Sequence, residues 1–194
     1  MLELLDQWDQ QLFLFLNGLH HPWIDPIMVA ITSRYYPIPI YVLAGGFMLW
    51  KYKWNGLWLL ITVISTILIA NHITSEMMKP FFERLRPCRN LDIKEQIHLL
   101  LKCKGTYGMA SSHASSSVAM ITTLWLVFKN QVNWIRYLYI WVFLVIYSRV
   151  YVGVHYPGDV FIGTLVGFAV SFGLVFLYRR LDEKYAIGID HSKH

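Results

Sequence analysis

LWLLITVISTILIANHITSEMM, residues 57–78, is the stretch that decides the fold of this chain. It is apolar over most of its length, and it has the roughly 20 residues that a helix needs to cross the hydrocarbon core of a bilayer. Four further apolar runs occupy residues 25–50, 113–128, 135–152 and 159–178. We therefore predict an all-α fold, a multi-pass membrane helix bundle with five spanning helices.

The composition of the 194-residue chain supports this fold class. Hydrophobic residues make up 56% of the chain, against roughly 45–50% in soluble domains. A chain of this length is expected to form one domain, residues 1–194. The net charge of +5 would suggest nucleic acid in a soluble protein. Here many basic residues flank apolar runs, where they anchor helix ends and attract anionic lipid head groups, so we expect a bilayer and no nucleic acid as partner.

Both ends of the chain lie outside the apolar runs. Residues 1–22 are predicted to form an amphipathic helix at the membrane surface. Its apolar positions recur near helical spacing, at Leu2, Leu5, Trp8, Leu12 and Phe15. The bundle would then contain about five to six helices. At the other end, residues 179–194 are polar and are expected to form a loose C-terminal tail.

Residues 79–112 form the one long polar stretch between apolar runs. Because consecutive spans alternate in direction, this loop and residues 149–158 should lie on the same membrane face. Lysine and arginine divide almost evenly between the two faces, so the positive-inside rule leans only slightly toward a cytoplasmic C-terminus. Cys88 and Cys103 both lie in the loop and could form a disulfide in an oxidising compartment, although two unrelated thiols fit the sequence equally well.

Residue types suited to phosphate chemistry cluster on this predicted face. They are Lys79 and Arg86 within KPFFERLRP, Ser111, Ser112 and His113 at the start of an apolar run, and Arg149, His155 and Asp159 within SRVYVGVHYPGD. Three cations could surround a phosphoryl group, since a guanidinium gives bidentate contacts to phosphate oxygens. Free N–H groups at a helix start attract anions. Two histidines could then serve phosphoryl transfer, one attacking phosphorus and the other protonating the leaving oxygen.

Each of these residues also has a structural explanation when it is taken alone. Cations at helix ends extend toward the interface, and serine or aspartate commonly caps a helix. These explanations fail jointly, because every residue type needed for the chemistry falls on one face. Glu76 and His72 lie one and two turns before Lys79, and we expect Glu76 and Lys79 to form a buried polar pair.

Three motifs in this order resemble the signature of the type 2 phosphatidic acid phosphatase family. They are Lys79-x6-Arg86-Pro87, then Ser111-x-His113, then Ser148-Arg149-x5-His155-x3-Asp159. The resemblance covers roughly residues 57–178. An N-terminal helix with Asn17 and Asp25-Pro26 is also similar to small bacterial members that act on undecaprenyl pyrophosphate.

The resemblance implies a role for each motif residue. His155 would be the nucleophile that forms a phosphohistidine, Asp159 would orient it, and His113 would be the general acid. The phosphoryl oxygens would be bound by Lys79, Arg86 and Arg149, helped by Ser111 and the N–H groups near Ser112, with residues 79–112 as the active-site loop. No metal or cofactor is expected. The second motif departs from the usual Pro-Ser-Gly-His, because it reads Ala110-Ser111-Ser112-His113.

These residues predict an integral membrane lipid phosphatase with undecaprenyl pyrophosphate as its first substrate. Phosphatidylglycerol phosphate and lipid A are the alternatives within the class. A non-catalytic lipid-phosphate binding or transport protein is the alternative of another class, although a binder would not need both His113 and His155. A vanadate-dependent peroxidase is disfavoured by the five predicted spans. The resemblance also places the protein in the bacterial inner membrane, with its site facing the periplasm or the outside.

Overall fold

The computed structural model describes residues 2–33, 35, 38–130 and 132–185. This part of the chain is almost entirely helical and contains no β-strand, which confirms the predicted all-α class. The α-helices are α1 (Leu2–Gly18), α2 (Asp25–Thr32), α3 (Ile38–His72), α4 (Lys79–Phe82), α5 (Ser112–Phe128), α6 (Leu138–Tyr151) and α7 (Pro157–Tyr185). A π-helix, Ile73–Met78, joins α3 to α4, and short 3-10 turns cover Pro87–Arg89, Lys94–Gln96 and Asn133–Tyr137.

Helix α3 reverses direction within its own length. Lys53 has φ 50° and ψ −123°, outside the helical region. Gly45 lies in van der Waals range of the Leu60 side chain, yet in a straight helix these residues would be about 22 Å apart. The two halves of α3 are therefore antiparallel, in agreement with two predicted runs joined by a short basic loop.

The predicted run over residues 25–50 is divided in the structure. Its first part is α2, its second part is the first half of α3, and the break lies between Thr32 and Ile38. An interruption was predicted there from Arg34, Pro37 and Pro39. Arg34 and Pro37 themselves lie outside the described residues.

Helix α5 is at the centre of the bundle, packed against α3, α6 and α7. Small residues make this packing close. Gly167 of α7 lies so near the backbone of α5 that a Cβ would overlap the carbonyl oxygen of Ser115, a contact that suits helices packed inside a membrane. At the start of both helices, the Ser111 N–H donates to the Asp159 carbonyl oxygen at 2.9 Å. The N-terminal ends of α5 and α7 are thus fixed to each other.

The outer surface of the bundle is apolar, as expected for contact with lipid. Two described segments are long and apolar enough to cross a membrane, Tyr41–Phe82 and Pro157–Asp182. The second half of α3, residues 54–72, is about 28 Å long, close to the thickness of the hydrocarbon core. Leu68, Phe143 and Phe176, from three helices, are 61%, 65% and 62% exposed. Because α5 and α6 are each shorter than about 20 residues, five spans stay a prediction.

Helix α1 presents its apolar face outward and its polar face to the protein. Trp8 and Phe15 are 58% and 64% exposed. On the opposite face Phe13 and Asn17 are buried, and Asp9 accepts a hydrogen bond from the Gly158 N–H at 2.8 Å. The predicted N-terminal helix therefore exists, and its Asp9 and Asn17 side chains contact the bundle.

The predicted loose tail over residues 179–194 is wrong in its first part. Helix α7 continues to Tyr185, because Tyr178 is buried and Arg179 donates to the Leu126 carbonyl oxygen at 2.8 Å. These contacts hold the last turns of α7 against the end of α5. Residues 186–194 lie outside the described residues.

The polar segment between α4 and α5 is closed by a disulfide between Cys88 and Cys103, whose Cα atoms are 6.1 Å apart. The first four residues of the predicted loop, Lys79–Phe82, are helical instead. In the chain-entropy model a bridge closing a loop of about 15 residues stabilises the fold by roughly 3 kcal/mol. Arg89 in this segment also donates to the Cys103 carbonyl oxygen at 3.2 Å.

Candidate active site

His155 and Asp159 form a buried pair where the chain passes from α6 into α7. Nδ1 of His155 lies 3.2 Å from Oδ2 of Asp159. The Tyr156 N–H donates to the same oxygen at 3.1 Å. Both side chains are almost completely shielded from solvent, so this contact fixes the orientation of the imidazole ring.

The second ring nitrogen of His155 faces Arg86, and this contact defines the tautomer. Nη1 of Arg86 lies 3.1 Å from Nε2 of His155. A guanidinium can only donate hydrogen bonds, so Nε2 accepts and the ring proton is on Nδ1, facing Asp159. Burial, and after it the charges of Arg86 and Arg149, lower the pKa of His155 well below its usual range. The imidazole is therefore neutral, with its Nε2 lone pair directed at a cationic group.

The two motif arginines are buried on this side of the bundle. Arg86 also donates from Nη1 to the Val154 carbonyl oxygen at 3.2 Å. Its Nε is buried and has no hydrogen-bond partner among the described residues, so it can donate to a ligand. Arg149 donates from Nη1 to Oγ1 of Thr32, which links α6 to α2. The structure thus places Arg86 against His155, whereas Arg149 contacts Thr32.

Lys79 reaches the start of α5, where it contacts Ser112. Its Nζ donates to Oγ of Ser112 at 2.9 Å and to Oγ of Ser75 at 3.4 Å. The Ser112 hydroxyl is also 2.7 Å from Oγ of Ser75. The side chain that replaces the family glycine therefore holds one of the three predicted phosphate-binding cations.

The predicted pair between Glu76 and Lys79 is wrong. Within the described part of the chain no ion pair joins them, and Glu76 is exposed. The reason is the π-helix Ile73–Met78. Its wider turn rotates Glu76 away from the inward face on which Ser75 and Lys79 lie.

Ser111 and His113 have different positions at the start of α5. Ser111 is buried and caps the helix, because its Oγ accepts from the Ala114 N–H at 3.5 Å. His113 lines a cavity of about 360 Å³ together with Lys79 and Ser112. His155 does not line this cavity. A second cavity of about 630 Å³ lies beside Lys129 and Arg136 and contains none of the predicted site residues.

Sequence reasoning missed Arg84, which joins the site to α1. Its Nη1 lies 3.1 Å from Oδ1 of Asp159 and 2.8 Å from Oδ2 of Asp9. Its Nη2 lies 2.6 Å from Oδ1 of Asp6. The guanidinium also stacks over the Tyr156 ring, 4.2 Å from its centroid. The available signal was the pair of acids on α1, since polar residues of a lipid-facing helix have to point toward protein.

The two N-terminal residues noted for their resemblance to small bacterial members form structural ties. Asn17 donates to the Tyr151 carbonyl oxygen at 2.8 Å and accepts from the His98 N–H at 2.8 Å. Asp25 accepts from the Tyr151 hydroxyl at 2.7 Å and lies 3.0 Å from Nε2 of His98. These contacts attach α1 and α2 to the end of α6. Among the described residues, no three His, Cys, Asp or Glu side chains come together in a way that could hold a metal ion.

Residues 55–183 match the PAP2 superfamily, and this protein belongs to that superfamily. Its relatives include the lipid A 4′-phosphatase of Bacteroides thetaiotaomicron, 30% identical over 171 residues, 86% of this chain and 75% of that protein. The lipid A 4′-phosphatase of Porphyromonas gingivalis is 30% identical over 92% of this chain and 77% of its own length. Phosphatidylglycerophosphatase B of Bacillus subtilis is 27% identical over 86% of this chain and 79% of its own length.

Solved structures share the fold. The phosphatidylglycerolphosphate phosphatase from Bacillus subtilis superposes with a TM-score of 0.65 at 23% identity, covering 93% of this chain and 87% of that one. LpxE of Aquifex aeolicus gives the same TM-score and identity over 86% of this chain and 94% of its own. The superfamily match and the named lipid phosphatases among its relatives define the chain as a membrane lipid phosphatase, a phosphoric monoester hydrolase.

Proposed function

We propose that this protein hydrolyses a phosphate monoester of a lipid A-type glycolipid. The reaction passes through a phosphohistidine on His155 and needs no metal ion. One observation carries the chemistry. Arg86 donates to Nε2 of His155, so the proton lies on Nδ1 and Nε2 holds a lone pair. A neutral imidazole with a fixed tautomer is what a nitrogen nucleophile requires.

In the first half of the reaction Nε2 of His155 attacks phosphorus. The N–P bond forms as the bond from phosphorus to the leaving oxygen breaks, and protonated His113 gives its proton to that oxygen. Asp159 accepts the hydrogen bond from Nδ1–H, so this proton stays on the ring, and the carboxylate stabilises the positive charge that develops there. Arg86, Arg149 and Lys79 neutralise the phosphoryl oxygens in the transition state.

In the second half His113, now neutral, takes a proton from water as the water oxygen attacks phosphorus. The N–P bond breaks, inorganic phosphate leaves, and both histidines return to their starting states. Three fixed cations supply the charge stabilisation that a metal would otherwise give. We propose that Ser111 contributes through the α5 N-terminus it caps, where N–H groups attract anions.

Lipid A replaces undecaprenyl pyrophosphate as the proposed substrate. Two relatives that are 30% identical are named lipid A 4′-phosphatases. Phosphatidylglycerol phosphate is the second candidate, because a relative of 27% identity is named phosphatidylglycerophosphatase B. We also propose the bacterial inner membrane as the location, with the site outside, since a disulfide in the active-site segment suits an oxidising compartment.

The test is phosphate release by purified protein in detergent with excess EDTA. Lipid A, phosphatidylglycerol phosphate and undecaprenyl pyrophosphate are compared as substrates. We expect the highest kcat/KM for lipid A, loss of release in His155→Ala, and full release in the matched control His72→Ala, whose side chain is exposed at the end of α3.

Two results would overturn parts of the proposal. A higher kcat/KM for either other lipid would reject the substrate. Inhibition by EDTA that a divalent metal reverses would reject the metal-independent mechanism. Acid-labile ³²P on the wild-type protein, absent from His155→Ala and retained by His72→Ala, would identify the phosphohistidine directly.

A further inference from the structure

Two rows of polar side chains line the cavity beside His113. One row follows the end of α3, the π-helix and α4 at intervals of four residues, and the other follows the first turns of α5. The rows are Asn71, Ser75 and Lys79 on one side and His113, Ser116 and Ser117 on the other. This spacing places each row on one helix face. The cavity is therefore a polar slot between two helices.

The slot belongs to the leaving group. His113 lines it, whereas His155 is buried outside it. In the proposed mechanism His113 protonates the leaving oxygen, so the group attached to that oxygen has to lie on the His113 side of the phosphoryl group. The slot is the cavity that adjoins His113.

Part of the slot has unused hydrogen-bonding capacity. Ser75 and Ser112 bond to each other and to Lys79. The hydroxyls of Ser116 and Ser117, by contrast, make no hydrogen bond to another described residue. The side chain of Asn71 accepts one long contact among the described residues, from Oγ of Ser75 to its Oδ1 at 3.4 Å. These neutral donors and acceptors face the slot and are available to a ligand.

The charge of the slot selects the kind of leaving group. Lys79 is the only lysine or arginine among the described lining residues, and it is assigned to the phosphoryl group. A leaving group that is itself a phosphate would need further cations. Hydroxyls and an amide suit a neutral polyhydroxylated group instead.

The size and the remaining walls fit a sugar ring. A volume of about 360 Å³ corresponds to roughly a dozen water molecules at about 30 Å³ each. Ile31, Trp141 and Val145, from α2 and α6, add apolar surface. A pyranose has a hydroxylated rim and apolar C–H faces, which match these two kinds of wall.

We propose that this slot is the binding site for the sugar of the leaving group, with Asn71, Ser116 and Ser117 as specificity-determining residues. The proposal rests on the proposed function and adds the part of the site that distinguishes a glycolipid phosphate from other lipid phosphates. Hydrogen bonds to substrate hydroxyls discriminate strongly against analogues that lack them, so the slot would supply the proposed preference for lipid A, which the three cations alone cannot give.

The experiment compares lipid A with phosphatidic acid, whose diacylglycerol leaving group has no other hydroxyl. We measure kcat/KM for both lipids in Ser116→Ala, Ser117→Ala, the double variant and Asn71→Ala. The ratio of kcat/KM for lipid A to kcat/KM for phosphatidic acid should fall by about tenfold in the double variant. It should fall less in each single variant. The matched control is Thr123→Val on the same helix, whose buried hydroxyl is outside the slot.

The outcomes separate this inference from the proposed function. An unchanged ratio with full lipid A hydrolysis would overturn the sugar site and leave the proposed function standing. Equal losses on both lipids would assign these hydroxyls to catalysis and also overturn the sugar site. Wild-type protein that releases no phosphate from lipid A would reject both. Thermal melting of each variant within a few degrees of wild type is required, and alanine in a helix favours this result.

Discussion

Nη1 of Arg84 lies 3.1 Å from Oδ1 of Asp159, the carboxyl oxygen that does not face His155. The same guanidinium nitrogen contacts Asp9, and Nη2 contacts Asp6. Arg84 therefore divides its charge between the buried pair and the N-terminal helix. Helix α1 contains none of the three sequence motifs, yet through Arg84 it supports the orientation of Asp159 and hence of His155.

Arg84→Gln should lower kcat and leave KM nearly unchanged. Arg84 is a positioning residue, because it contacts Asp159 and does not line the cavity. A small displacement of a reacting group can cost about 100-fold in rate, so we expect a loss of about 10–100-fold. Steady-state kinetics on the preferred lipid measures the two constants.

The controls for Arg84 distinguish positioning from folding. Arg84→Lys should recover part of kcat, because an ammonium group keeps the charge beside Asp159. Arg89→Gln, in the same segment and exposed, should retain wild-type kcat. A rise in KM at constant kcat would show that Arg84 binds substrate, and the positioning role would then be wrong.

The acid limb of the pH–rate profile, where the rate falls because His155 is protonated, should lie below pH 6.5. Burial and the nearby cations lower the pKa of His155 well below its usual value of 6.5. A lowered pKa means that the nucleophilic neutral form persists to lower pH. Protonation of Nε2 then removes the lone pair and places two donors, Nε2–H and Arg86, against each other. The test is kcat/KM against pH, corrected for titration of the substrate phosphate. An acid limb centred above 6.5 would contradict the neutral tautomer.

Ser112→Ala should weaken the binding of phosphate-like inhibitors. Lys79 uses two of its three N–H donors on Ser75 and Ser112. These two contacts orient the ammonium group and leave its third N–H for a phosphate oxygen. Removal of one hydrogen bond of about 0.5–1.5 kcal/mol should raise the inhibition constant of orthovanadate by roughly 3–10-fold. Thr123→Val is the control on the same helix. Tighter inhibition in Ser112→Ala would mean that Ser112 competes with phosphate for Lys79.

Periodicity and motif spacing predicted that the motif residues lie close together, and the structure shows which contacts these signals did not indicate. The predicted alternation of spans put Lys79, His113 and His155 on one membrane face, and in the structure Lys79 lines one cavity with His113 and its charge acts on His155. The motif spacing did not indicate Arg84, because its contacts to Asp6, Asp9 and Asp159 join segments that are far apart in sequence. The Glu76 pairing failed for another reason, since helical spacing was counted at the α-helical period and the chain is π-helical there. The contact of Ser112 with Lys79 depends on the packing of α5 against the π-helix, which no local pattern encodes.

Reduction of the Cys88–Cys103 disulfide should lower both stability and activity. The bridge closes the segment that follows Arg86, and Arg86 is the residue that contacts Nε2 of His155. Loss of the bridge should lower the free energy of unfolding by roughly 3 kcal/mol in the chain-entropy model and make the position of Arg86 less fixed.

We expect dithiothreitol to lower the melting temperature and kcat/KM of the wild type. The double variant Cys88→Ser/Cys103→Ser should show the same low values without reductant and no further response to it. Alkylation of the unreduced protein should label no thiol, and two labelled cysteines would contradict the bridge. Equal effects of reductant on wild type and variant would assign the loss to another cause.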